Sequence, residues 1–358
     1  MSGLLVLNIG GIGDMILATP ALRTIGGHLG GEPFDLLTSD RSVAVVERAP
    51  FIGAIHTIDV SLLTGRRNVR TFFRLCASLF TLLLLRFRRY DIAVDLMAVE
   101  SPQASRRRRF LIDIIRPRTT AGRNTDGHGD FYHIWAPETL SSDVHEVARK
   151  LSVPHALGYG EETTRLEVFS TERDSTAAES LIDSIGGGAH RNIAVLIPGS
   201  WRPTRRWAEE RFIGTGTYLR ETYDARVVVC GGRDERDVID RVASGIPDAV
   251  SLIDIPTRVL FELFRRASIV ITNDTGPMHI AAAARAPVVS IFGPENPHRY
   301  APAADAGRAV TLYRGVECAP CVKYTCDDMK CLRGIEVEMV LEAVDTILSG
   351  AGGETNNV

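Results

Sequence analysis

Residues 269–292 read IVITNDTGPMHIAAAARAPVVSIF, and this stretch decides the fold. Ile269–Thr272 is a short, mostly branched apolar run that reads as a buried strand, and Asn273-Asp274-Thr275-Gly276-Pro277 after it are turn formers. Small apolar residues from Met278 to Ala284 predict a helix, and Val288–Phe292 a second strand. Strand, helix and strand in this order form a parallel crossover unit.

The alternation continues upstream. Strands are predicted at Ile193–Ile197, Arg226–Cys230 and Val250–Ile253, with helices at Ser175–Ile185, 207–222, 233–243 and Thr257–Arg266. The triplet Gly186-Gly187-Gly188 stops the first of these helices. An earlier series contains Leu4–Ile9, a glycine turn, a helix towards His28, then Phe34–Leu37, Ile55–Val60 and Asp91–Leu96. After Gly122 the residues have loop character. Two α/β series in 358 residues, more than the ~250–300 at which one core stops growing, predict two doubly wound domains facing a cleft. The expected division is 1–172, 173–348 and a flexible tail at 349–358.

Charge separates the two series. Residues 1–150 carry 19 basic and 15 acidic residues, residues 151–358 carry 22 and 29, and the whole chain has a net charge of −3. This balance argues against a nucleic-acid binder driven by bulk positive charge. Of the 41 basic residues only Lys150, Lys323 and Lys330 are lysines, so no arginine is special for being one. The N-terminus lacks the pattern of a secretory signal and the six cysteines are too few for a disulfide scaffold, which predicts a cytoplasmic protein. Leu75–Leu85 is apolar but too short, at 11 residues against the ~20 needed, to cross a bilayer. Arg66, Arg67, Arg70, Arg74, Arg86, Arg88 and Arg89 flank it, and Arg106–Arg109 lie in the same half. A buried helix with solvated ends and a helix lying on an anionic membrane face both fit.

Chemistry-bearing residues fall after the strands, where open α/β sheets bind ligands. Gly10-Gly11-Ile12-Gly13-Asp14 follows the first strand but departs from the dinucleotide spacing, and Asp14 would oppose a pyrophosphate. Asp14 reads either as a helix cap or as a general base for a hydroxyl nucleophile. Asp274, Thr275 and Gly276 have the composition of a phosphate-holding turn, and His279 one turn on either reaches the same ligand or packs in the core. Pro198–Trp207 brings together Arg202, Arg205 and Arg206 with two indoles and the Ser200 and Thr204 hydroxyls, which suits an anionic ligand with a flat or sugar-like part, or else a solvated loop. Glu235, after Gly231-Gly232, reads as a ribose-binding acid or a helix cap. Cys318, Cys321, Cys326 and Cys331 have ligand type and a plausible first pair for a structural metal, or else pack in a loop.

Together these segments resemble the ADP-heptose:lipopolysaccharide heptosyltransferases, glycosyltransferase family 9. The resemblance rests on LLVLNIGGIGDMILATPALR (4–23), RYDIAVDL (89–96), HEVARKL (145–151), IPGSWRPTRRW (197–207), VVVCGGRDERDV (227–238) and VITNDTGPMHIAAAARAPVVSIFGPENPHRYAP (270–302), with CAPCVKYTC at 318–326. It implies a GT-B fold, with acceptor in the N-terminal domain near Gly11 and Gly13, and nucleotide sugar in the C-terminal domain. No metal is implied for catalysis. Asp14 matches the family's proposed base, and Asp274, Thr275, Gly276 and His279 match the donor turn. Arg205 stands where a phosphate-touching lysine is usual, Ser200 matches a phosphate-contacting hydroxyl, Glu235 the ribose acid, and Ile255 an adenine-flanking position. The implied activity is inverting transfer of a heptose from ADP-heptose to a glycan or lipid-linked acceptor by a monomer, with peripheral membrane contact. Another nucleotide sugar, a soluble acceptor, or an epimerase or hydrolase acting without acceptor are the competing readings.

Overall fold

The computed structural model describes residues 3–59, 69–141, 143–160, 163–186, 188, 192–304 and 307–349, and the proposed tail lies almost wholly outside them. The chain divides into two compact units, Met1–Phe169 and Ser170–Val358. Each is a six-stranded, wholly parallel sheet with helices in the crossovers. The fold is GT-B, built from two Rossmann-like units.

The first unit contains β1 (Leu4–Asn8), β2 (Phe34–Thr38), β3 (Ile52–Thr57), β4 (Ile92–Asp95), β5 (Thr119–Thr125) and β6 (Ile134–Glu138). Its helices are α1 (Ile12–Ile16), α2 (Thr19–His28), α3 (Val43–Val46), α4 (Val69–Phe87), α5 (Pro102–Ile115) and α6 (Glu146–Ala156). The strand order is β3-β2-β1-β4-β5-β6. Strands are added outward from β1 toward β3 on one side and from β4 toward β6 on the other, so a crevice opens beyond the carboxyl ends of β1 and β4. All five β1 residues are buried, as a central parallel strand requires.

The stretch read as loop after Gly122 forms β5 and then leads to β6. Two of its polar residues find partners outside the strand: Arg123 is fully buried and ion-paired with Glu138 and Glu146, and Asn124 Oδ1 accepts from Gly129 N at 2.8 Å. Gly122 is required by packing, because a Cβ there would lie 2.4 Å from the Tyr132 ring, whose hydroxyl is held by Asp95 at 2.8 Å. Gly122→Ala is expected to cost about 1–3 kcal/mol through overpacking. Calorimetry of the full chain would then show a drop in Tm of about 2–4 °C per kcal/mol.

Arg108 differs from the rest of the Arg106–Arg109 run. It is buried, with Nε 3.0 Å from Asp95, while Arg106, Arg107 and Arg109 stay exposed. The third strand ends at Thr57, and Val60, with which it was expected to end, lies outside the described residues.

The second unit contains β7 (Asn192–Ile197), β8 (Ala225–Gly231), β9 (Val250–Ile253), β10 (Ile269–Asn273), β11 (Val288–Phe292) and β12 (Ala309–Tyr313). Between and after them lie α7 (Glu172–Ser184), α8 (Glu209–Tyr223), α9 (Arg236–Ser244), α10 (Thr257–Arg266), α11 (Gly276–Ala283), α12 (Pro297–Tyr300), α13 (Lys330–Arg333) and α14 (Val337–Leu348). The order β12-β11-β10-β7-β8-β9 repeats the first unit's topology, with its switch point between β7 and β10. Sequence reading ended the series at Phe292 and missed β12 and α14. α14 returns to pack on α8 and β12, with Val340 and Val344 fully buried.

Candidate functional site

In the second unit the candidate residues line the carboxyl edge of the sheet. Across adjacent strands β9, β8, β7 and β10 come Ile255, Glu235, the loop from Pro198 to Arg206, and the Asp274-Thr275-Gly276 turn. Asn273, buried at the end of β10, ties the last two together: its Nδ2 donates to Pro198 O at 2.8 Å, and its Oδ1 accepts from Trp207 N at 3.1 Å.

Arg205 is the hub of this edge. Its guanidinium lies 3.1 Å from Asp274 Oδ2, donates to the Asp274 carbonyl at 3.4 Å, and pairs with Glu295 beyond β11. Arg202 also reaches Glu295, at 3.0 Å. Two guanidinium groups therefore share two carboxylates at the foot of α11. Glu295 lies inside a block read from sequence but was not singled out there; only its spacing from the donor turn could have drawn attention to it.

Burial pushes the Asp274 carboxyl up to about 7, with the Glu295 charge adding to the rise and Arg205 and Arg202 opposing it. The folded state therefore holds this proton where the unfolded chain, with a value near 3.8, has released it. Stability contributed by the group is highest at the acidic end of that window, falls as pH rises, and levels off above about 7. Asp274→Asn removes this slope, so Tm measured from pH 4 to 8 is expected to lose part of its decline in the variant.

Thr275 is the N-cap residue of α11, whose helical residues begin at Gly276. His279 is buried within this helix at 5% exposure. Ser200 is also buried, and its Oγ accepts from Arg202 N at 3.3 Å, so here the hydroxyl shapes the arginine loop. Glu235 Oε2 accepts from Gly232 N at 3.0 Å. The Glu235 carboxylate also lies over Gly199, where a Cβ would come within 2.4 Å of it. Glycine at 199 thus brings the β7 and β8 loops together. Ile255 follows Asp254, whose amide donates to Gly231 O at 2.9 Å, placing it beside the Glu235 turn.

The four C-terminal cysteines line one small cavity with Lys323 and Lys330. Among the described residues no group of three or more His, Cys, Asp or Glu side chains converges as a metal-binding set. The cysteine loop also braces the arginine loop: Thr204 Oγ1 donates to Lys323 O at 2.7 Å, and the Trp201 and Tyr324 rings lie 5.7 Å apart.

In the first unit, Gly11 is the N-cap residue of α1 and Gly13 lies within its first turn. Asp14 Oδ2 accepts from Gly11 N at 2.9 Å, so the carboxylate caps its own helix. A Cβ on Gly10 would come 2.6 Å from the Asp14 side chain, so glycine is what lets the carboxylate sit there.

Beneath this turn lies Lys150, which sequence reading passed over. It is 1% exposed and donates to Asn8 Oδ1 at 3.1 Å and Leu96 O at 3.2 Å, while Asn8 Nδ2 donates to the Asp14 carbonyl at 3.4 Å. Burial pulls its ammonium down from the usual lysine range, against the opposing fields of Glu146 and Asp14. The available signal was its rarity in a chain that uses arginine almost everywhere, a signal shared by the exposed Lys323 and Lys330.

The sequence profile of Glycosyltransferase family 9 (heptosyltransferase) matches residues 136–332. Lipopolysaccharide heptosyltransferase 1 of Pseudomonas aeruginosa is 25% identical over 334 residues, covering 90% of this chain and 86% of that one. Among solved structures, the family 9 glycosyl transferase from Veillonella parvula aligns with a TM-score of 0.77 at 21% identity, over 98% of this chain and 97% of that one. The Escherichia coli heptosyltransferase WaaC with ADP-2-deoxy-2-fluoro heptose aligns at 0.68 and 15% identity, over 96% and 98%. At these identities the structural likeness speaks for the fold, while the profile spans more than half of the sequence. The chain belongs to glycosyltransferase family 9, the heptosyltransferases, and is a glycosyltransferase enzyme.

Proposed function

We propose that this enzyme transfers a heptose from ADP-heptose to a hydroxyl of a lipopolysaccharide inner-core or related glycan acceptor, inverting the anomeric centre without a metal ion. The observation that carries this reading is the row of residues along the second sheet's carboxyl edge. Ile255 offers an apolar flank for adenine, and the next strand presents Glu235 to accept from the ribose hydroxyls. Arg205, with the start of α11 at Thr275 and Gly276, then meets the diphosphate. The solved relative carrying an ADP-linked heptose analogue supports the choice of donor class.

In this mechanism Asp14 takes the proton of the acceptor hydroxyl as its oxygen attacks the anomeric carbon. The bond to the diphosphate breaks on the opposite face, and Arg205 and the α11 amides stabilise its growing negative charge. The cationic role is filled by these groups. The enzyme works in the cytoplasm as a monomer, on an acceptor presented at the membrane.

Thermal shift with a panel of nucleotides and nucleotide sugars tests the donor, because a ligand bound only by the native state raises Tm. Stabilisation by ADP and ADP-heptose but not by UDP or GDP is expected. Donor consumption at the full rate without acceptor would instead identify an epimerase or hydrolase.

A further inference from the structure

We infer that the outer face of α4, with the arginines around it, is a docking surface for an anionic lipid bilayer. This deepens the membrane-presented acceptor of the preceding section, but it rests on the surface alone.

α4 is apolar on two opposite sides. Leu82 and Leu85, with Ser78 one turn earlier, face inward and are buried. Ala77, Phe80, Leu84 and Phe87 recur at helical spacing on the far side, where Phe80 is 63%, Leu84 49% and Phe87 78% exposed. Phe73 continues this stripe, and Leu79 and Leu83 flank it. A helix on the surface of a soluble domain turns charged residues to water on that side. Contiguous exposed apolar surface marks an interaction site. α5 packs beside α4 and adds Phe110, which is 48% exposed.

Charge selects the occupant. Residues 69–118 hold 11 arginines against four acids. Arg88, Arg89, Arg106, Arg107, Arg109, Arg116 and Arg118 are all exposed. Four of the segment's exposed arginines meet carboxylates: Arg74 with Asp59, Arg88 with Asp35, Arg109 with Asp130 and Arg118 with Asp91. Such exposed pairs are weak and leave the field positive. A second copy of this chain would set that field against itself, whereas anionic headgroups complement it. None of the described helices is long and apolar enough to cross a membrane, so α4 would lie in the interface with its phenylalanines among the upper acyl carbons.

The test is co-sedimentation of the full chain, without donor or turnover, with vesicles of phosphatidylethanolamine and phosphatidylglycerol (3:1) or of phosphatidylcholine alone. Wild type is expected to bind the anionic vesicles, and to bind phosphatidylcholine about tenfold less or weaker still. Phe80→Ser/Leu84→Ser/Phe87→Ser should reduce binding by a similar factor at unchanged Tm, since these side chains are already exposed. Arg106→Gln/Arg107→Gln/Arg109→Gln should remove most of the salt sensitivity. The inference is overturned if wild type does not bind, if the serine variant binds as wild type does, or if wild type is a dimer in solution that the serine variant dissociates. Because the readout needs no catalysis, it separates failure here from failure of the transferase reading.

Discussion

Replacing Asp14 by Asn is expected to lower the rate of sugar transfer by about 10²- to 10⁴-fold, the usual worth of a positioned general base. The substitution separates the two duties of this residue. Its carboxylate accepts from Gly11 N across the first turn of α1, and an Asn side-chain oxygen still does so. The amide, however, takes up no proton from an attacking hydroxyl. Tm and donor affinity should therefore stay close to wild type while kcat collapses. Asp14→Ala adds the loss of the cap, about 0.5–2 kcal/mol, so comparing the two variants by calorimetry isolates the structural share. An Asn variant with most of its activity intact would reduce Asp14 to a helix cap.

The second large effect is expected at Arg205. Its guanidinium joins Asp274 and Glu295, whose side chains are only 5% and 8% exposed. Arg205→Ala removes the cation proposed to meet the diphosphate and leaves Asp274 and Glu295 with only Arg202 beside them. Losing such a transition-state donor costs about 10²- to 10³-fold in kcat. Donor affinity should fall as well, because the guanidinium is lost and the Glu295 carboxylate beside it is left to repel a diphosphate, while Asp274, no longer held down by Arg205, shifts further toward its neutral form. Arg205→Lys restores charge but not the two-pronged grip, and should recover affinity only in part. Single-turnover kinetics and donor titration of the three proteins would decide the matter; equal donor affinity and equal rate across them would remove Arg205 from the site.

Much of the second unit was legible because buried parallel strands write themselves as apolar runs. Val250–Ile253, Thr257–Arg266 and Val288–Phe292 fall where periodicity puts them. β5 was not legible, since its Gly122 and Arg123 are accommodated by residues further along the chain, Tyr132, Glu138 and Glu146. Tertiary context of that kind leaves no local trace. The site divides in the same way. Arg205, Asp274 and Thr275 follow strands and are visible from position. Lys150 sits inside α6, and its buried contact with Asn8 appears only when residues 142 positions apart meet. The cysteines are conspicuous in sequence, and the folded chain gathers all four around one small cavity beside the arginine loop.

The repeated strand order has a consequence for how labour is divided. In both units the first strand is central, flanked by the second and fourth, and the turn after it projects at the same topological address. One unit equips that address with Asp14, a carboxylate; the other equips it with the loop bearing Arg205, a fixed cation. A single backbone plan, used twice, thus presents opposite signs at equivalent addresses. The near-neutral sum over the chain is bookkeeping across two oppositely specialised copies of one template.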